Sequence, residues 1–324
     1  MKVLVTGGAG FIGSHLVRAL VRQGVGVIVF DDLSTGKKEH LPEGASLVEG
    51  DIRDPRSVDR VFARWQPRVV FHLAGQSSVR RSITDPILDL EVNVKGSIHI
   101  FQASAQSSVE KVVFASSGGA IYGEQDSYPV KEAATPRPRS PYAVDKLASE
   151  HHGAHFHAER AFDFTALRLG NVYGPGQNPE GEAGVIAIFL GRLSEGQSLT
   201  VYGDGEQTRD FVFVGDVVQA FLRAMGGPPG NFNIGTGVET SLNTLIGSLG
   251  KVVPWKPDVH YVPAIPAEVR RNALSIRNAQ EILGWSPSTS LFEGLRETAQ
   301  APYGVNVPGG GEGECPRTLG PSVP

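Results

Sequence analysis

The chain has 324 residues, 40 % of them apolar and 20 % charged, with 30 Lys and Arg against 34 Asp and Glu for a net charge of −4. That length suits one large domain or two closely joined ones, with enough apolar sequence for a sizeable core. The slight acidic balance offers no basic surface for a phosphate backbone or an anionic membrane, and a single cysteine excludes an intrachain disulfide or a thiolate metal centre. No nucleic-acid or membrane partner is therefore expected. With no long apolar run and no charged-then-apolar leader in the text, a cytoplasmic protein is the expectation.

In chain order, Lys2–Thr6, Val25–Phe30, Ser46–Val48, Val69–Leu73 and Lys111–Ala115 read as buried strands. The segments Phe11–Arg22, Ser57–Trp65, Leu88–Gln106 and Ser140–Glu159 read as helices between or after them. Such alternation predicts right-handed crossovers and a parallel sheet covered on both faces. The expected fold is α/β, a Rossmann-type doubly wound parallel sheet with a smaller C-terminal substrate-binding lobe. A strand at Thr165–Arg168, a helix at Val185–Glu195, a strand at Thr200–Tyr202 and a helix at Val214–Met225 come next, followed by short helices at Asn278–Leu283 and Leu291–Ala301. Residues 1–170 are expected to form the dinucleotide-binding domain, with later segments returning to it. Residues 171–300 would form the lobe, and the Gly- and Pro-rich stretch 301–324 a flexible tail.

Gly7, Gly10 and Gly13 give a G-x-x-G-x-x-G spacing between the first strand and the first helix, with Phe11 and Ile12 opening that helix. The first glycine permits a tight turn, the second a close approach of backbone N–H groups to a pyrophosphate, and the third close helix packing. Asp31 and Asp32 follow the second strand, Asp31 lying 18 residues after Gly13. A carboxylate there accepts from a ribose diol and repels a 2′-phosphate, favouring NAD over NADP even with Lys37 and Lys38 close behind. Asp51 and Ile52 after the third strand are placed to hold the adenine, the alternative for Asp51 being a cap on the following helix.

Tyr142 and Lys146 form a Y-x-x-x-K pair on one helix face. A free tyrosine, with a pKa of about 10, is a poor base near neutrality. A neighbouring ammonium favours its phenolate, which can then take a proton from an alcohol as hydride leaves the same carbon. Ser117, 25 residues earlier at the end of a strand, is positioned to share that proton, and Ser116 is its rival because neighbours on a strand face opposite ways.

These motifs, in this order, resemble the extended short-chain dehydrogenase/reductase family, and within it the NAD-dependent nucleotide-sugar epimerases. The resemblance runs from Met1 to about Ala299. Beyond the loop and the Tyr142–Lys146 pair it is carried by His72–Gly75, Asn93–Gly96, Ser116–Gly123, Arg168–Pro175 and Arg209–Asp216. It implies transient oxidation at C4 of a UDP-sugar, UDP-glucose first, with bound NAD taking and returning the hydride. Tyr142 would be the base, Ser117 its proton partner, and Lys146 the group that lowers the Tyr142 pKa and holds the nicotinamide ribose. It further implies cofactor contacts from Leu73, Ala74 and Asn93, and substrate contacts from Asn171, Gly184, Val185, Tyr202, Arg209 and Glu268. The family is commonly homodimeric.

Three positions depart from the family pattern. Ser77 replaces a lysine that some members place near the dinucleotide, and Gly118-Gly119 lengthen the strand-end motif. Ile265 stands where some epimerases carry a second phosphate-binding arginine, so either Arg270 or Arg271 compensates or pyrophosphate binding is weaker. Asn272 lies near the position that limits bulk at the sugar C2, which leaves N-acetylated and uronic-acid UDP-sugars open as alternatives. A 4,6-dehydratase needs an acid and a base where Gly118-Gly119 stand, and a non-catalytic NAD-sensing protein would tend to lose the Tyr142–Lys146 pair. His151, His152, His155 and His157 read as a solvated helix face rather than a metal site, and Trp65, Trp255 and Trp285 as core.

Overall fold

The computed structural model describes residues 1–179, 184–254, 257–264 and 269–303. Its strands are β1 (Lys2–Thr6), β2 (Gly26–Asp31), β3 (Ala45–Glu49), β4 (Val69–His72), β5 (Lys111–Ser117), β6 (Asp163–Leu169) and β7 (Asn171–Tyr173). They are followed by β8 (Leu199–Tyr202), β9 (Thr208–Arg209), β10 (Phe211–Phe213), β11 (Gly230–Ile234), β12 (Thr240–Ser241) and β13 (Val259–Val262). Seven of them form one sheet in the order β11-β6-β5-β4-β1-β2-β3, every neighbouring pair parallel. The chain winds outward one way from β1 and the other way from β4. The carboxyl ends of these two adjacent strands therefore form the crevice where doubly wound sheets bind ligands.

The sheet's two faces are covered differently. On one, Leu16, Val17 and Leu20 of the Phe11–Arg22 helix pack with Val217 and Phe221 of the Val214–Gly226 helix. On the other, Val58 and Phe62 of the Pro55–Trp65 helix join Phe101, Phe114 and Phe164. Each such side chain, fully buried, contributes about 1.5–3 kcal/mol. A further cluster, built from Phe189, Leu193, Leu199, Phe211, Leu245, Leu249 and Leu295, lies beyond the sheet and carries the β7 to β10 region. Among the described residues no helix is long and apolar enough to cross a membrane.

Among the departures from the sequence reading, three have a clear local reason. The edge strand β11 was not expected because Asn231 and Asn233 interrupt its apolar run. Asn233 is nevertheless fully buried, its Oδ1 accepting from Tyr122 Oη at 2.8 Å and its Nδ2 donating to the Val130 carbonyl at 2.9 Å. The helix Leu242–Val252, started by a Ser241 cap on Thr244 N, was also missed, although Leu242, Leu245, Leu249 and Val252 form its buried stripe. The expected single helix Leu88–Gln106 is a helical rod that begins at Pro86 and contains one π-turn at Glu91–Lys95. Trp285 is core as expected, whereas Trp65 is half-buried under the cations of Lys2 and Arg64. Trp255 and most of the expected tail lie outside the described residues.

Candidate active site

The glycine loop is built by contact with its own backbone. Gly7 sits at φ +67°, and a Cβ there would come within 2.6 Å of Ala74 N; a Cβ on Gly13 would come within 2.1 Å of the Gly7 carbonyl oxygen. Only glycine closes this turn. Gly10 precedes the Phe11–Arg22 helix with no side chain capping its first N–H groups, so these donors are available to an anion. Phe11 and Ile12 are half-buried beneath them.

Asp31 joins the loop to β2. Its Oδ2 accepts from Ala9 N and its Oδ1 from Leu33 N, both at 2.9 Å, and burial pushes its pKa up against the pull of those two bonds. Asp32 is exposed and caps Ser34. Asp51 lies in the fork of Arg53 at 2.6 Å, which draws its pKa down, while the helix cap considered for it is made by Asp54 instead. Ile52 is buried, and its carbonyl meets His99 Nδ1 at 2.9 Å.

From the loop the site continues along β4. Leu73 N donates to the Thr6 carbonyl at 3.1 Å and Ala74 N to Thr6 Oγ1 at 3.2 Å. His72 beneath them bridges Thr6 and Ser97; burial and the nearby Lys146 depress its pKa to about 3, so it is neutral. Beyond Ala74, a Cβ on the exposed Gly75 would stand 2.7 Å from Asn93 Oδ1 and 3.2 Å from Lys146 Nζ. Both groups thus reach the same open point. Asn93 lies on the π-turn, its Nδ2 donating to the Gln76 carbonyl at 2.9 Å while its buried Oδ1 meets no donor among the described groups. An amide oxygen left bare in this way beside an ammonium fits a ribose hydroxyl. The residues present therefore fit a dinucleotide running from Asp31 to Lys146.

The Pro141–Ala158 helix, capped by Ser140 on Ala143 N, presents Tyr142 and Lys146 to this cradle. Lys146 Nζ donates to the Ala115 carbonyl at 3.2 Å and lies 6.0 Å from the Tyr142 ring centroid. Burial lowers the Lys146 pKa to about 8, with Asp89 and then Glu150 opposing the fall. Burial raises that of Tyr142, Ser117 draws it down by hydrogen bonding, and Asp89 pushes it up. The two strand-end serines divide as alternation requires: Ser117 faces Tyr142, while Ser116 is buried and donates to Glu150 Oε1.

Beyond Ser117, a Cβ on Gly119 would meet Asn171 Oδ1 at 3.5 Å and Ser117 Oγ at 4.0 Å, so Asn171 adjoins the Ser117 hydroxyl. Asn171 N is held by the Asp210 carbonyl at 2.7 Å, and its Oδ1 is bare. Next to Asp210, Arg209 Nη1 donates to the Thr208 and Val269 carbonyls at 2.8 and 2.9 Å. Gly184 and Val185 begin the Val185–Ser194 helix, again with no side-chain cap. Tyr202 ends β8, 41 % exposed. Arg270 and Arg271 hold Asp204 and Glu239, each at 2.7 Å. Glu268 and Ile265 lie outside the described residues. Among the described residues no group of three or more His, Cys, Asp or Glu could hold a metal ion.

A parallel sheet with a glycine loop at its switch point, and a Tyr–Lys helix beside the end of β5, define a dinucleotide-dependent enzyme of the short-chain dehydrogenase type. The chain belongs to the NAD dependent epimerase/dehydratase family, whose model matches residues 3–235. It is 44 % identical to the UDP-glucose 4-epimerase of Mycolicibacterium smegmatis over 93 % of this chain and 98 % of that protein. Among solved structures it superposes on the UDP-glucose 4-epimerase of Thermotoga maritima with UDP-glucose at a TM-score of 0.91, with 44 % identity over 93 % of this chain and 98 % of the other. It superposes equally on the Thermus thermophilus UDP-glucose 4-epimerase complex with NAD at a TM-score of 0.90, with 42 % identity over 95 % of this chain and 100 % of the other.

Proposed function

We propose that the chain interconverts UDP-glucose and UDP-galactose by inverting the sugar C4, with Tyr142 as base and acid, Ser117 as its proton partner and Lys146 as the ammonium that steadies both phenol and cofactor ribose. The observation that carries this reading is the gathering of these groups along one crevice: Asp31 on Ala9 of the glycine loop, Gly7 against Ala74, Asn93 and Lys146 both at Gly75, and Ser117 beside Tyr142 and Asn171. When bound, NAD supplies the acceptor and later donor of the C4 hydride. Tyr142 takes the proton of the 4-hydroxyl through or beside Ser117, and returns it after the ketone has turned over. Asn171, Arg209, Tyr202 and the uncapped start of the Val185–Ser194 helix hold the UDP while the hexose turns. A bond only to the diphosphate side leaves the ring free to rotate. Dehydration is disfavoured because Gly118 and Gly119 supply neither the acid nor the base that chemistry needs at the end of β5.

A second reading, a 4-epimerase of N-acetylated UDP-hexosamines, is favoured by Asn272. It is buried with its Oδ1 bare and its Nδ2 on the Gly118 carbonyl at 3.4 Å, a compact group where bulk would exclude the N-acetyl. Incubation with UDP-glucose, UDP-N-acetylglucosamine and UDP-glucuronate separately, followed by NMR of the C4 configuration, decides between them. Absence of inversion with all three overturns the proposal.

The homodimer belongs to the same reading. Val79, Ile83, Ile87, Leu90 and Val144 are exposed at 41, 61, 68, 47 and 49 % on three adjoining helices, Val79–Thr84, Pro86–Leu90 and Pro141–Ala158. A second copy of the chain covers this stripe. Analytical ultracentrifugation should give a dimer that Ile87→Lys dissociates; a wild-type monomer at micromolar concentration rejects it.

A further inference from the structure

Behind the Tyr142–Lys146 face lies a pair of carboxyls to which the proposed reaction gives no part. Asp89, on the Pro86–Leu90 helix, is fully buried, and Asp145, between Tyr142 and Lys146 on the next helix, is 7 % exposed. Asp89 Oδ1 accepts from Gln76 Nε2 at 2.5 Å and from Asn93 Nδ2 at 3.2 Å. Asp89 Oδ2 and Asp145 Oδ2 meet no donor among the described groups, and the two carboxyls face each other.

The surrounding charges do not balance two carboxylates. On the same helix, Glu150 is neutralised by Arg168 of β6 at 2.7 Å. His72 of β4 is neutral. Arg80, Arg81 and Asp85 near the Val79–Thr84 helix and Lys95 of the π-turn are exposed, and Glu91 of that turn is half-buried and itself an acid. Lys146 is left as the buried cation beside the pair. Two carboxyls in contact in a dry site beside one ammonium do not both ionise.

We propose that Asp89 and Asp145 hold a single proton between them and act as positioning residues for the Tyr142–Lys146 dyad. Singly charged, the pair supports the Lys146 ammonium and lets Tyr142 ionise. When the shared proton leaves, a second negative charge stands behind the phenol and opposes its ionisation. The inference rests on Tyr142 being the base. Electrostatics agree with the geometry: burial, then Asp89, pushes Asp145 up to about 7, and Asp89 raises both Tyr142 and Lys146. The sign follows. As pH rises through about 7 the pair gains charge, so the phenolate forms over a broader and higher pH range than a lone tyrosine beside lysine would show.

The test uses the NAD-loaded protein. Carbon-13 NMR of aspartate labelled at Cγ should show one buried carboxyl titrating near neutrality in the wild type. Two such carboxyls both ionised at pH 5 overturn the proposal without any variant having to fold. In Asp145→Asn the amide donates to Asp89 as the shared proton does, but cannot ionise. The phenolate of Tyr142, followed by ultraviolet difference spectra against Tyr142→Phe, should then form more steeply and about one pH unit lower. A titration superimposable on the wild type also overturns it. Both readouts need no substrate, so a shifted titration with no sugar inverted defeats the epimerase reading and leaves the pair standing.

Discussion

Two buried polar clusters share the Pro141–Ala158 helix, one turn apart, and they are built on opposite terms. Around Glu150 every charge is met. Arg168 Nε and Nη2 bond the carboxylate at 2.7–3.1 Å, Arg168 Nη1 donates to Tyr122 Oη at 2.8 Å, and Tyr122 donates to Asn233. Around Lys146 the terms are unmet: among the described residues Asn93 Oδ1, Asp89 Oδ2 and Asp145 Oδ2 lack donors, and the ammonium donates to one carbonyl, that of Ala115. A fully satisfied network fixes geometry and costs little once formed. Bare groups cost about 1–3 kcal/mol each, and a fold retains them where a ligand, or for the Asp89–Asp145 pair the proposed shared proton, completes them. The first cluster clamps β5, β6 and β11 to the helix; the second is where the clamped helix is used.

Breaking each side should separate the two roles. Tyr142→Phe removes the proton carrier and should lower kcat by about 10²–10⁴-fold, with NAD retention and the unfolding midpoint close to wild type; undiminished turnover removes Tyr142 from the mechanism. Arg168→Met strands Glu150 in the interior and should cost about 3–5 kcal/mol of stability. Urea unfolding measures this, and a loss below about 1 kcal/mol would show that the pair is not the clamp described.

How far each cluster was legible in the sequence follows from the same contrast. Residues proposed to meet a ligand sit in spaced motifs, so Gly7, Gly10, Gly13, Ser117, Tyr142 and Lys146 stood out. Strand alternation required that only one of Ser116 and Ser117 face inward, and the strand-end place 25 residues before Tyr142 favoured Ser117. The clamp was not legible, because Glu150, Tyr122, Asn233 and Arg168 come from four distant segments and no short spacing joins them. Asn233 even hid its own strand. Asp89 and Asn93 are four residues apart on a helical rod, a visible spacing whose meaning depends on the π-turn that swings Asn93 toward Lys146. Side chains that serve other side chains leave a weaker trace than side chains that serve a ligand.

His72 tests the comparison from beneath, where a neutral base is sealed between Thr6 and Ser97 near Lys146. Its folded pKa of about 3 lies below the unfolded value of 6.5, so the unfolded chain binds the proton first as pH falls. The sign is therefore loss of stability on acidification below about 6.5, amounting to about 2 kcal/mol between pH 7 and pH 5 for this group alone. Urea midpoints at the two pH values should show it, and His72→Gln should flatten that slope. An equal slope in the variant assigns the acid sensitivity elsewhere.

The smallest effect is expected at the far end of the cradle. Asp31 is bonded by Ala9 N and Leu33 N, one to each oxygen, so each oxygen keeps a lone pair for a ribose hydroxyl while the carboxylate also pins the glycine loop to β2. Asp31→Asn keeps the size but loses the charge that repels a 2′-phosphate, and its amide cannot accept from both backbone donors. The preference for NAD over NADP, measured as the ratio of dissociation constants, should fall about tenfold, which is about 1.4 kcal/mol. Most of that change should come from weaker NAD binding, because Lys37 and Lys38 are exposed and too solvated to grip a new phosphate tightly. A ratio unchanged from wild type would move the discrimination to Asp32, the other acid at the end of β2.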